Sequence, residues 1–150
     1  MIPARISVVT LGVLDIERMR AFYRALGWPQ AAVDDDDVAF FLTGPTVLAL
    51  YRHHLLVADA GFEPSEPPAG FRGLSLAVNV ETREGVDQAI DAARAARATI
   101  LKEPVDAEWG GRTAYFADPE GNAWEVAWLP GASFDERGGL IPPWKPRRGD

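Results

Sequence analysis

Apolar and polar positions along the chain change period several times, and each change marks an element. Residues 6–13 are mostly apolar or β-branched and read as a strand. Asp15 then opens a stretch in which Ile16, Met19, Tyr23 and Leu26 recur at helical spacing, and Gly27 follows. Asp is a favoured N-cap and Gly a favoured stop, so a helix is predicted between them. Residues 28–33 read as a short strand and Asp34 to Asp37 as a charged, solvated turn. Residues 38–42 and 47–51 read as strands joined by Thr43-Gly44-Pro45-Thr46. Residues 52–71 form a connector. Its first half predicts a short helix, and its second half, Glu63-Pro64-Ser65-Glu66-Pro67-Pro68, is a Pro-rich loop. The pattern then restarts with a strand over 74–80 and a Thr82 cap. Val86, Ala89, Ile90, Ala93 and Ala96 share one helix face, and a strand follows over 98–101. A loop through Trp109-Gly110-Gly111 leads to a last pair of strands.

Each half thus reads strand–helix–strand–strand–strand, an α+β repeat that aligns residue by residue. Val8 falls on Ser75, Val13 on Val80, Phe40 on Tyr115 and Ala49 on Glu125. Successive strand residues point to opposite faces. Val9, Leu11 and Val13, with Leu74, Leu76, Val78 and Val80, are predicted to face the helices. So are Phe41, Leu48, Leu50, Phe116, Trp124 and Val126. The other face carries Val8, Thr10, Gly12, Phe40, Ala49 and Tyr51 from the first half. From the second half it carries Ser75, Ala77, Asn79, Tyr115, Glu125 and Ala127. This mixed face, apolar with a few polar groups, has the character of a small-molecule site.

The most specific stretch runs from Tyr115 to Val126. Asp118-Pro119-Glu120-Gly121-Asn122 is a tight turn: Asp opens it, Pro fixes φ, and Gly takes the left-handed position. Antiparallel pairing about Glu120 sets Tyr115 opposite Glu125 and Phe116 opposite Trp124 on the other face. This turn, followed by Trp124-Glu125-Val126, resembles the end of a module of the vicinal oxygen chelate superfamily. That superfamily includes glyoxalase I, extradiol dioxygenases, and fosfomycin- and bleomycin-resistance proteins. The resemblance covers about residues 5–130. It implies two βαβββ modules forming a curled half-barrel pair: module 1 about 5–51, a connector 52–72, module 2 about 73–130, and a C-terminal extension 131–150. It also implies a homodimer.

In the metalloenzymes of that superfamily, ligands sit at four repeat-related points. Carried onto this chain they are Val8, Ala49, Ser75 and Glu125. Only Glu125 keeps a ligand type, whereas a metal site wants three or four donors. No cofactor is therefore expected, and a divalent metal only through an incomplete site. His53 and His54 are adjacent, so they point apart, and they are expected at a rim. The catalytic candidates are Glu125 and Tyr115. The pocket candidates are Val8, Thr10, Phe40, Ala49, Tyr51, Ser75, Asn79, Trp109, Arg112 and Ala127. Arg112 is a candidate ion-pair partner of Glu125, and Trp109 with its two glycines a candidate aromatic lid.

Composition narrows the function further. The net charge of −7 argues against nucleic-acid binding and is compatible with cationic ligands. The absence of cysteine excludes disulfides and thiolate metal sites. No apolar run is long enough for a membrane span, and the N-terminal run lacks a cleavage site, which predicts a cytoplasmic protein. Lys145-Pro146-Arg147-Arg148 reads as a frayed basic cluster, and Arg148-Gly149-Asp150 as a chance tripeptide. Three functions follow. The first is a protein that binds a small organic molecule in an apolar-aromatic cup without a catalytic metal. The second is a lyase-, isomerase- or dioxygenase-type enzyme using Glu125, either with an incomplete metal site or as a metal-free base. The third is a non-catalytic dimerisation domain.

Overall fold

A computed structural model describes residues 1–33 and 35–145. Asp34 and the end of the basic tail, residues 146–150, lie outside the described residues. The first half holds β1 (Val8–Val13), α1 (Ile16–Ala25), β2 (Val38–Leu42) and β3 (Val47–Arg52), followed by α2 (His53–Asp59). The second holds β4 (Ser75–Asn79), α3 (Arg83–Ala95), β5 (Thr99–Asp106), β6 (Arg112–Ala117) and β7 (Ala123–Trp128). A short hairpin, β8 (Ser133–Phe134) and β9 (Leu140–Ile141), closes the described chain. One sheet has the order β1-β3-β2 and the other β4-β7-β6-β5. In each, the first strand runs parallel to the last. The architecture is the predicted α+β fold with curled, open sheets and two repeated units, the second a complete βαβββ and the first one strand short of it.

The helices form where their caps and periodicity place them. The Asp15 carboxylate accepts from Arg18 N at 3.0 Å, and Gly27 leaves α1 with φ +82°. Thr82 Oγ1 accepts from Gly85 N at 3.0 Å and starts α3. The buried faces are Ile16, Met19, Phe22 and Tyr23 on α1, and Val86, Ile90 and Ala93 on α3. Both pack into one core with Phe41, Leu48 and Leu50 from the first sheet and Phe116, Trp124 and Val126 from the second. Among the described residues no helix is long and apolar enough to cross a membrane.

The β6–β7 hairpin locks the two halves together. Asp118 Oδ1 accepts from Glu120 N and Asn122 N, which holds the turn closed. Asp118 Oδ2 accepts from the Tyr23 hydroxyl at 2.7 Å, and that hydroxyl accepts from Trp124 Nε1 at 3.1 Å. The Glu120 carboxylate accepts from Leu14 N at 2.9 Å and Asp15 N at 2.7 Å, placing negative charge at the α1 N-terminus. Tyr23 stacks on Trp28, and Trp28 meets Trp124 edge-on at 5.2 Å.

Four expectations change. Residues 28–33 form no strand; Gln30 makes a lone bridge to Phe41, because Pro29 has no N–H to extend the ladder. Leu74 lies before β4, after Gly73 at φ +73°, and is exposed rather than facing the helices. The connector helix forms, but it packs against β1 and β3 on the face opposite α1. A Cβ on Gly12 would meet His53 Nδ1 at 3.0 Å and Leu56 Cδ2 at 3.2 Å, so glycine lets α2 approach the strand closely. His53 is thereby seated over the sheet, its Nε2 at 2.7 Å from Ser65 O, while His54 stays exposed. The solvated turn after Asp34 is tied down: Arg52 Nε donates to Asp37 Oδ1 at 2.6 Å, and Arg20 donates to the carbonyls of Asp35 and Val38.

Candidate ligand cup

The β6–β7 register is the predicted one, with Tyr115 opposite Glu125 and Phe116 opposite Trp124. Phe116 and Trp124 stack in the core, so alternation sends Glu125 to the concave face. There Thr113 Oγ1 donates to Glu125 Oε1 at 2.8 Å. Thr113 is itself buried, so it orients the carboxylate from beneath. The Tyr115 phenol is pushed above its usual range, first by burial and then by the negative charge of Glu125 beside it. It therefore stays protonated at neutral pH. On its other side Lys102 Nζ stands 5.9 Å from the ring centroid.

Glu125 opens into a cavity of about 650 Å³. Asn79, Ala127 and Trp109 line it with Glu125, joined by Leu129 and by Pro143 and Trp144 of the C-terminal segment. Asn79 is fixed by its side-chain amide, which donates to Ala127 O at 3.2 Å. Trp109 is placed by a tight turn: Gly110 N donates to Ala107 O, Ala107 N donates to Gly111 O, and Gly110 takes φ +92°. A Cβ on Gly111 would run into the Trp109 indole and Trp128 O, so the ring lies directly over that glycine. The candidate aromatic lid is thus a seated wall.

The structure brings Glu125, Asn79, Ala127 and Trp109 together but leaves the remaining pocket candidates out of this cavity. Val8, Thr10 and Ser75 are exposed on the two edge strands β1 and β4. Ala49 is buried between Thr10 and Phe40 on neighbouring strands, and Tyr51 is partly buried on the sheet that α2 covers. Tyr115 flanks Glu125 without lining the cavity. Arg112 is the clear correction. Its guanidinium grips Asp87 of α3 through two 2.8 Å bonds and reaches Asp106 at 3.0 Å. It shares the helix face with Ala114 and Phe116, so it cannot pair with Glu125. These bonds hold the Asp87 and Asp106 carboxyls below the usual range and raise Arg112. Thr113 and Trp144 are the residues that sequence reasoning missed. Alternation with Tyr115 could have found Thr113; nothing local could place Trp144.

Residues 5–126 match the Glyoxalase/Bleomycin resistance protein/Dioxygenase superfamily. The chain belongs to this superfamily. Among solved structures it is similar to a glyoxalase-related enzyme from Fulvimarina pelagi, at 27% identity and a TM-score of 0.82, covering 93% of this chain and 98% of that one. It is also similar to a glyoxalase/bleomycin resistance protein/dioxygenase family enzyme from Burkholderia phytofirmans PsJN, at 26% identity and a TM-score of 0.69, covering 84% and 99%. A lactoylglutathione lyase from Agrobacterium tumefaciens, at 21% identity and a TM-score of 0.62 over 84% of this chain and 94% of that one, shares the fold. No curated protein sequence matches the chain. 

The four repeat-related positions at which the superfamily's metalloenzymes are expected to hold their ligands test whether this chain fits a metal. Val8 and Ala49 carry no donor atom, Ser75 offers a neutral hydroxyl on an exposed strand edge, and only Glu125 offers a carboxylate. Among the described residues no group of three or more His, Asp or Glu side chains could hold a metal elsewhere. This donor set does not fit a divalent metal.

Proposed function

We propose that this superfamily member binds a small organic molecule in the cup over β7, anchored by Glu125 and without a metal. The observation that carries this reading is the cavity itself. Its volume of about 650 Å³ suits a small ligand, and its lining is apolar and aromatic apart from Asn79 and Glu125. A carboxylate with one oxygen held by Thr113 has acceptor capacity left for a ligand donor. The test is a thermal-shift screen of a small-molecule panel against the wild type and Glu125→Ala. Compounds that stabilise the wild type but not the variant support the reading; a panel without any such compound contradicts it.

The pairing of Glu125 with a protonated Tyr115 favours a second reading in the same cup, proton transfer on a bound substrate. Glu125 would act as base and the phenol as donor. Turnover that survives Glu125→Gln would rule this out. A second copy of the chain is the expected protein partner, since β1 and β4 are both edge strands and Val8 is exposed. Sedimentation equilibrium giving a monomer at micromolar concentration would refute the dimer.

A further inference from the structure

The C-terminal segment is built to deliver one aromatic side chain to the cup. Asp135 Oδ1 accepts from Arg137 N and Gly139 N, each at 2.8 Å, and Asp135 N donates to Gly139 O, closing the β8–β9 hairpin. A Cβ on Gly139 would stand 2.6 Å from Asp135 Oδ2, so this turn needs glycine there. The hairpin is docked on the first half of the chain: a Cβ on Gly44 would meet Arg137 O at 2.6 Å. Phe134 and Leu140 roof a cavity of about 440 Å³ between the two halves, above Trp28 and Trp124. The hairpin then turns the chain back on itself. A Cβ on Gly131 would touch Pro143 at 3.5 Å, and Trp144 comes to line the Glu125 cavity with Trp109.

We propose that this segment is the specificity element of the cup, and that Trp144, Trp109 and Glu125 together select an organic cation bearing an aromatic or quaternary ammonium group. The proposal rests on the reading of the cup as a ligand site. Glu125 is the one charged side chain among the residues lining the cavity, and two indoles line it with the carboxylate. Indole faces attract cations through the ring quadrupole, and a carboxylate in a largely apolar cavity gains by meeting an opposite charge. Arg112, the nearest strand arginine, is held on the other face by Asp87 and Asp106 and cannot neutralise Glu125 from within. Because the hairpin is anchored at Gly44 and Asp135, the segment that carries Trp144 is already docked beside the cup, which lowers the ordering cost of binding.

The probes are phenyltrimethylammonium and its uncharged isostere, tert-butylbenzene. Proton–nitrogen correlation NMR follows the five indole N–H signals. Those of Trp109 and Trp144 are assigned from Trp109→Phe and Trp144→Phe. Phenyltrimethylammonium should shift both signals and saturate. Trp144→Ala should weaken it about five- to tenfold, as expected for the loss of one cation–π wall. Gly139→Ala, which disturbs the hairpin away from the cup, should weaken it in the same direction, and Glu125→Gln should do so at least as much. Trp144 is 61% exposed, so its removal leaves the core intact. Equal binding of the uncharged isostere would overturn cation selection. An unchanged affinity in Trp144→Ala would overturn the role of the segment. Either result would leave the cup itself standing. Absence of phenyltrimethylammonium binding at millimolar concentration would overturn this proposal, while the Glu125-dependent panel screen reports separately on the cup.

Discussion

Removing one oxygen atom, in Tyr23→Phe, tests how the two halves are joined. Tyr23 is fully buried, and its hydroxyl stands between Asp118 Oδ2 and Trp124 Nε1. A hydrogen bond to a charged acceptor contributes about 1.5–3 kcal/mol, and a buried donor left unpaired costs about 1–3 kcal/mol. Asp118 keeps its bonds from Glu120 N, Asn122 N and Asn122 Nδ2, so the carboxylate is not stranded. The Trp124 N–H is stranded, and the gain from no longer burying the hydroxyl offsets part of the loss. The net expectation is about 3 kcal/mol, equivalent to a fall in Tm of roughly 6–12 °C for a domain of this size. Urea unfolding followed by far-UV circular dichroism measures it, with the m-value unchanged. The phenol adds a pH signature. Burial first, and then the Asp118 charge, raise the Tyr23 pKa well above 10.0. The unfolded chain therefore loses this proton before the folded one does. The stabilisation is complete below the unfolded value and is lost as pH rises past it. The gap between wild type and Tyr23→Phe should accordingly narrow above pH 10. A loss below about 1 kcal/mol, or a gap that widens in alkali, would refute the bridge.

Two further perturbations probe the cup and its support. Gly111→Ala should expel the Trp109 indole from its seat and destabilise the fold by about 1–3 kcal/mol, as overpacking does; a red-shifted indole emission together with a lower urea midpoint checks it. Arg112→Met should destabilise the protein at neutral pH by freeing Asp87 and Asp106. Their folded pKa values lie below the ordinary 3.8, so that stabilisation is present above it and lost as pH falls through the folded values. Wild-type and variant urea midpoints should therefore converge below pH 3.8.

Much of the fold was legible because local signals agreed with one another. The Asp118-Pro119-x-Gly121 turn set the hairpin register, and the register set which face each residue of β6 and β7 takes. Caps at Asp15 and Thr82 marked the helix starts that form. Glu125 was readable for the same reason. Two corrections are local, the strand that Pro29 interrupts and Leu74 beyond Gly73, and the others concern contacts between separate elements. Arg112 is claimed by Asp87 on α3 and by Asp106, although alternation with Ala114 and Phe116 already pointed it toward the helix. The seat of α2 over β1 had a signal in Gly12, since glycine within a strand marks close approach of another segment. Trp144 had none: where the hairpin before it docks depends on Gly44, about ninety residues away in the chain.

The central claim is that, of the four positions that carry ligands in the superfamily's metalloenzymes, this chain retains a single carboxylate and uses it for an organic ligand. Metal content by plasma emission spectroscopy, on protein purified without chelator or histidine tag, tests it most directly. The account predicts far less than one metal ion per chain, with no thermal shift on adding Mn²⁺, Fe²⁺, Co²⁺, Ni²⁺ or Zn²⁺. A stoichiometric metal that is lost in Glu125→Ala would contradict it.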